Sequence, residues 1–267
     1  MKHTMIDCYG ASKYKLDDVN LINDSLNYLA AFLGVKPIAP PSLVPYYYGE
    51  DDEDSGVSAY LFLKGGHLTI HTFPRRECYF LDIIYDGFFE TDKLVSFLEK
   101  ELPFEKANSQ VVTVDRRVKE QNVISMEKRD FGPHVLAKIK VTKKVGMEEM
   151  SDFLEGIIPR INMHPITRAF VLKDNPSDPT YLSGMILIAE SHIGIHYNLK
   201  DQLMYFDLFS CAMFDSSGLS KELEDVFGNL VSYSITVRGT KYDYKRTTKL
   251  NSNMKYSNQL WTQKWKI

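Results

Sequence analysis

Cysteine is scarce. Cys8, Cys78 and Cys211 are the only three in 267 residues, and no two have paired spacing. A disulfide framework is therefore excluded, and a reducing compartment, the cytoplasm, is expected. Long apolar runs are missing too. None approaches the ~20 residues that cross a bilayer, and the N-terminus has no basic-then-apolar leader, so no membrane association is expected. No CxxC, HExxH or EF-hand pattern points to a metal, and no P-loop or GxGxxG points to a nucleotide cradle. An excess of one charge is also lacking: 32 basic against 35 acidic residues leave a net charge of −3. Nothing in that balance favours nucleic acid or a lipid surface. What remains is 44% apolar and 25% charged residues, the composition of an ordinary globular protein. The length suits one large domain or two of about 120 residues.

The chain repeats itself. Val57–Gly87 aligns with Leu182–Ala212 without a gap. Ser58 falls on Ser183, His67 on His192, Ile70 on Ile195, His71 on His196 and Asp82 on Asp207. The flanks agree. Val19, Ile22, Leu26, Leu29 and Leu33 share one helical face ending at Gly34, and Met147, Met150, Leu154 and Ile157 form a similar stripe. After the shared block, TDKLVSFLEKELP from Thr91 and SSGLSKELEDVFGNL from Ser216 both read as capped amphipathic helices. Strand patterns cover Ala59–Leu63, Leu68–Thr72 and Tyr79–Tyr85, mirrored by Gly184–Ala189, Ile193–Tyr197 and Met204–Cys211. Each half closes on a further strand-like run, VVTV or YSITV. The expected fold class is α+β, each half an antiparallel sheet with helices on one face, and the two sheets packed as an αββα sandwich. The expected division is 1–117, 130–240 and a basic tail, 241–267, with the charged stretch Arg116 to Arg129 between the halves. That tail carries both tryptophans, Trp261 and Trp265, and its basic residues suit either a surface-packed element or an anionic partner.

Within the repeat, LIAESHIGIHY (Leu187–Tyr197) and LKGGHLTIHTF (Leu63–Phe73) share a frame, but Gly66 stands where the other has Ser191. A serine at a strand start is ordinarily a hydrogen-bonded surface residue. Its hydroxyl can also attack the preceding carbonyl, here that of Glu190, converting an amide to an ester; β-elimination then cleaves the chain. The new terminus is a pyruvoyl group. Such a ketone forms a Schiff base with a substrate amine and accepts the electron pair left by a departing carboxylate.

GVSAYLFLKGGHLTIHTFP, LDIIYDG and SGMILIAESHIGIHY…FDLFSC together resemble the bacterial and archaeal S-adenosylmethionine decarboxylases, over both halves but not the tail. The resemblance implies a cofactor, a pyruvoyl group formed from Ser191, with the cleavage site at Glu190–Ser191. It implies that Cys211 is the proton donor, that His71 or His196 is the processing histidine, and that Ser58 or Ser183 assists it. Gly66 and Asp86 replace the serine and cysteine in the first half, so one of two symmetric pockets is expected to be abandoned. Fused relatives divide the site between halves, which suggests Ser191 and Cys211 working with Ser58 and His71. His196 and Ser183 are then remnants or local processing groups. The ordinary readings of His71 and His196 as bonded strand histidines, and of Cys211 as a core thiol, remain open. Cys8 and Cys78 are expected to be structural.

Two departures bear on the substrate. The family's motif ends in a glutamate that binds ribose hydroxyls, and Arg75 and Lys200 stand there instead, with Glu77 as a substitute two residues on. A cation cannot accept hydroxyl hydrogen bonds. The acidic run Glu50 to Asp54 ordinarily marks a solvated loop; folded over a pocket it would favour a cationic substrate. The leading expectation is a self-processing, pyruvoyl-dependent decarboxylase of S-adenosylmethionine, supplying polyamine (spermidine) biosynthesis. Its alternatives are an arginine or ornithine decarboxylase with the same machinery, and an unprocessed, non-catalytic homologue acting as a binding or regulatory subunit. The expected partner is a small-molecule substrate, with the halves forming a pseudo-dimer within one chain and a higher homo-oligomer left open.

Overall fold

The architecture comes from a computed structural model, which describes residues 1–47, 51–116, 130–189 and 191–240. The sequence-derived tail, most of the stretch between the halves, and Glu190 lie outside the described residues.

The first half contains β1 (Lys2–Tyr9), α1 (Lys13–Leu16), α2 (Val19–Leu33), β2 (Ser42–Tyr46), β3 (Gly56–Leu63), β4 (Gly66–Phe73), β5 (Cys78–Tyr85), α3 (Thr91–Glu101) and β6 (Gln110–Asp115). The second contains β7 (Asp130–Val141), α4 (Met147–Ile157), β8 (Phe170–Lys173), β9 (Tyr181–Ile188), β10 (Ser191–Asn198), β11 (Leu203–Phe209), α5 (Leu219–Phe227) and β12 (Gly228–Thr240). The two six-stranded sheets run β2-β3-β4-β5-β1-β6 and β8-β9-β10-β11-β7-β12, one order used twice, and all their pairings are antiparallel. The fold is the α+β sandwich of duplicated halves that the repeat predicts.

Strand periodicity explains the layering, since successive side chains point to opposite faces. In β4, Leu68 and Ile70 join Ala59, Leu61, Leu81 and Ile83 in a core shared with Ile22, Leu26, Leu29 and Leu94 of the helices. The same division holds in β10, where Ile193, Ile195 and Tyr197 join a core with Met150, Leu154, Leu223 and Phe227. The alternate residues, His67 and His71 or His192 and His196, are turned from the helices and meet across the two sheets. Burying one such apolar side chain contributes about 1.5–3 kcal/mol, so these two outer cores hold the layers in register.

Local signals act as expected in α2. Asp18 caps it by accepting from the Leu21 N–H at 3.0 Å, and Gly34 ends it at φ 69°, a left-handed conformation that glycine adopts without strain. The expected capping of α3 and α5 is not found: their N-cap residues, Glu90 and Gly218, make no side-chain cap bond. The Thr91 hydroxyl is instead engaged by Lys2 Nζ at 2.7 Å. Amphipathic packing, through Leu94, Phe97 and Leu98 or Leu219, Leu223 and Phe227, carries these helices.

Candidate active site

Part of the space between the sheets is polar, beside apolar clusters around Phe80 and Phe209 and around Phe62 and Leu187. Six of the seven histidines, His3, His67, His71, His134, His192 and His196, are fully buried there. With them are Asp7, Asp82, Asp207, Arg116 and Arg238, also buried. Buried polar groups must find partners, and here they find them across the duplication. Ser58 Oγ lies 2.9 Å from His71 Nδ1, and His71 Nε2 lies 2.8 Å from His192 Nδ1. His192 Nε2 then meets Asp207 Oδ2 at 3.0 Å. The second chain runs the other way: Ser183 Oγ to His196 Nδ1 at 2.9 Å, and His196 Nε2 to His67 Nδ1 at 2.7 Å. Each serine–histidine pair therefore reaches the opposite half, to the histidine that follows Ser191 in one case and Gly66 in the other.

Two arginines cross in the same reciprocal manner. Arg238 of β12 binds Asp7 and Asp82 of the first half, each with a 2.7 Å hydrogen bond. Arg116, just beyond β6, donates to the Ala137 and Phe206 carbonyls of the second half at 2.7 and 2.8 Å. Burial raises the Asp82 pKa, but Arg238, His3 and His134 outweigh it and hold the carboxyl well below its usual range. For Asp207 burial is likewise outweighed, by His67, His134 and His192. Burial and His192 keep His71 well below the ordinary imidazole value, and burial brings His196 down to about 4. Both rings are neutral at pH 7.

Ser191 begins β10 and is fully buried. Its Oγ accepts a 2.8 Å hydrogen bond from the Cys211 backbone N–H, and Cys211 Sγ lies 3.5 Å from the Ala189 carbonyl. Cys211 packs with Phe209, Phe131, Phe73 and Phe80, and the Phe209 ring lies 5.9 Å from that of His71. One apolar cluster thus connects the Ser191–Cys211 pair with the Ser58–His71 pair. At the equivalent position of the first half there is no room for a side chain: a Cβ on Gly66 would stand 1.9 Å from the Ile84 carbonyl oxygen. Asp86, in the cysteine's place, is bonded to the Tyr181 hydroxyl, whose ring lies against Gly65.

The remaining site candidates are scattered. Arg75 is exposed and pairs with Asp52 at 3.0 Å, while Arg76 pairs with Asp51, Glu53 and Asp54. Asp51 to Asp54 of the acidic run, expected as a solvated loop, are thus matched by the two arginines; Glu50 lies outside the described residues. Glu77 is buried at φ 52°, and its carbonyl accepts from the Ala11 N–H. Cys8 and Cys78 are buried, with burial pushing both thiols up in pKa. Sequence reasoning gave no role to His67, His192, Asp82 and Asp207, and passed over His3, His134, Arg116 and Arg238. The first four stood in register in the repeat. His3 and His134 lie on strands outside the aligned block and become equivalent only through the sheet registers, opposite Ile84 and Phe209.

Two like halves, one with the strand-start serine and one without, define a duplicated αββα protein whose buried polar core is shared across the duplication. The sequence profile of S-adenosylmethionine decarboxylase matches residues 2–117 and again 138–238, one copy per half. The chain belongs to the S-adenosylmethionine decarboxylase family. Among solved structures, the adenosylmethionine decarboxylase of Aquifex aeolicus VF5 matches at 17% identity and a TM-score of 0.38, covering 45% of this chain and 93% of its own. No individually curated protein matches.

Proposed function

We propose that the chain is a self-processing, pyruvoyl-dependent decarboxylase with one working site, at Ser191. The observation that carries this reading is the meeting of Ser191 with Cys211 at one end of the sandwich, with Ser58 and His71 brought to the same cluster from the other half. The residues present fit the cofactor's origin. Ser191 has its hydroxyl oxygen held by a backbone N–H, whereas Gly66 has no hydroxyl and no space for one. When formed, the pyruvoyl group supplies the electron sink for loss of carbon dioxide. The rest falls to this chain's own residues. Ser191 Oγ attacks the Glu190 carbonyl and displaces the Ser191 nitrogen to form an ester. β-Elimination frees the Glu190 carboxylate and leaves a dehydroalanine, whose imine form water hydrolyses with release of ammonia. The neutral His71 with Ser58 handles the protons of that cleavage. Cys211 returns a proton to the product carbon. Its thiol is buried, 3.5 Å from the Ala189 carbonyl. His196 and Ser183 are assigned to the abandoned pocket, since they bond to His67, beside Gly66.

S-adenosylmethionine, feeding spermidine synthesis, is the substrate we infer from family membership. Glu77 remains a candidate for contacts to it, whereas Arg75 is engaged with Asp52 and Ser183 with His196 in the other pocket. The case for arginine or ornithine weakens, because the acidic run that motivated it is already paired. Carbon dioxide release from each of the three compounds separates them.

The cleavage itself is tested by a denaturing gel and intact mass. Purified protein is expected as fragments 1–190 and 191–267, the latter lighter than a serine-headed peptide by one ammonia. Ser191→Ala should remain whole. A wild-type chain that stays unbroken, with an ordinary serine at 191, would overturn the proposal in favour of a non-catalytic homologue.

A further inference from the structure

The two pseudo-symmetric carboxylates of the core are equivalent by register but not by surroundings. Asp82 faces His3 and His134 and also receives Arg238, whose guanidinium lies 2.7 Å away. A buried anion there has its cation. Asp207 faces three imidazoles: His192 Nε2 at 3.0 Å, His67 Nε2 at 3.6 Å and His134 Nε2 at 3.7 Å. Among the described residues no lysine or arginine comes within 4.0 Å of it, because Arg116, the counterpart of Arg238, is turned to His3 and to backbone carbonyls.

Several atoms around Asp207 also lack hydrogen-bond partners. His67 Nε2, His134 Nε2 and Asp207 Oδ1 are all buried and make no hydrogen bond. Leaving such groups unsatisfied is costly. The backbone comes close to them as well, with no room for a side chain between. Gly194 occupies the repeat position of Thr69, and a Cβ there would stand 2.9 Å from His67 Cε1 and 3.0 Å from Asp207 Oδ1. The outer nitrogens of the two nearest rings are already held, His67 Nδ1 by His196 and His192 Nδ1 by His71. That is the second shell that orients metal-bound imidazoles.

We propose that His67, His192 and Asp207 form a site for a divalent transition-metal ion, zinc by its donor set; His134 stands apart from it, its Nδ1 accepting from Arg238 at 2.9 Å and its Nε2 therefore carrying the proton. The candidate ligand atoms of the first three all lie within 4.8 Å of one another. Tetrahedral zinc with bonds of about 2.0–2.1 Å has ligand-to-ligand edges of about 3.3–3.4 Å. The two nitrogen-to-Asp207 separations, 3.0 Å for His192 and 3.6 Å for His67, bracket that edge. Nitrogen and carboxylate donors without sulfur suit zinc and its neighbours rather than calcium or magnesium. His67 comes from the first half and the other ligands from the second, so the ion ties the sheets together. With the ion on His192 Nε2, Nδ1 must carry the proton and donate it to His71 Nε2. His71 then donates from Nδ1 to Ser58, which leaves the Ser58 hydroxyl proton free.

The site is enclosed, so the test uses the full chain expressed in medium supplemented with zinc or, separately, cobalt. After dialysis, elemental analysis is expected to find one ion per chain. The cobalt form should show tetrahedral d–d absorption, and X-ray absorption should show imidazole and oxygen scattering without sulfur. Asp207→Asn and His67→Gln are expected to lose the ion. His3→Gln, at the guanidinium-occupied equivalent, should keep it. If the variants fail to fold, the wild-type spectra still decide. Metal below a tenth of an equivalent in both media, sulfur ligation, or equal loss in His3→Gln would overturn the assignment; the first outcome would mean that protons alone balance Asp207.

Discussion

Acid should unfold this protein well before its carboxylates titrate. Buried in the sandwich, His134 is lowered to about 3 and His196 to about 4, against 6.5 for an unconstrained imidazole. Burial is the principal cause in both. The unfolded chain therefore binds more protons than the native one between pH 6.5 and these values, and stability falls as pH drops through that window. From pH 7 to pH 5 each of the two histidines removes about 2 kcal/mol, so together they remove about 4 kcal/mol. His3, His67 and His71 are shifted in the same direction and add to the loss. Asp82 and Asp207, held below the usual 3.8, contribute stability that is lost only below about pH 4, outside this window. Against a typical total of about 5–15 kcal/mol, the histidines alone can bring a domain of this kind near its midpoint at pH 5. Urea unfolding followed by fluorescence at half-unit pH intervals measures this. A stability that stays level between pH 7 and 5 would show that the rings are not buried neutral, and the description of the core would be wrong.

Other expectations are narrower. Arg238→Met strands Asp7 and Asp82 without their cation and should cost about 3–5 kcal/mol, read from the shift in urea midpoint. Gly66→Ser should not restore a second site: its Cβ meets the Ile84 carbonyl, so a loss of about 1–3 kcal/mol and no fragment break at residue 65 are expected. His71→Ala should slow chain cleavage far more than His196→Ala, as a time course of fragment appearance would reveal; the reverse order would move the processing histidine to the other half. Arg75→Ala removes an ion pair with both side chains mostly exposed, 60% and 79%. It should change stability by less than ~1 kcal/mol and leave cleavage untouched.

The doubled fold was legible because its outward faces obey simple periodicity. Ile22, Leu26 and Leu29, or Leu68 and Ile70, announce themselves by spacing alone. The inward faces do not. β1 carries His3 and Asp7 on the side facing the other sheet, and a period-two reading assigns such residues to water. That strand and β7 went unrecognised for this reason. Ser191, Cys211, Ser58 and His71 stood out through their motif. The partners of these residues could not be read, because the bonds between His71 and His192, or Arg238 and Asp82, join strands far apart in the chain. Only the sheet registers bring those residues together. The partners of the acidic run went unread for a similar reason, its arginines being supplied by the turn after β4.

The reciprocal wiring of the histidines bears on how such a duplicated chain can age. Ser183 and His196 face a pocket without its serine, yet they steady His67, which in turn stands against the carboxylate shared with His192. On the proposed assignment, residues without a part in the chemistry still serve as scaffolding for their counterparts in the other half. Truncating either one would loosen the imidazole held in the opposite sheet.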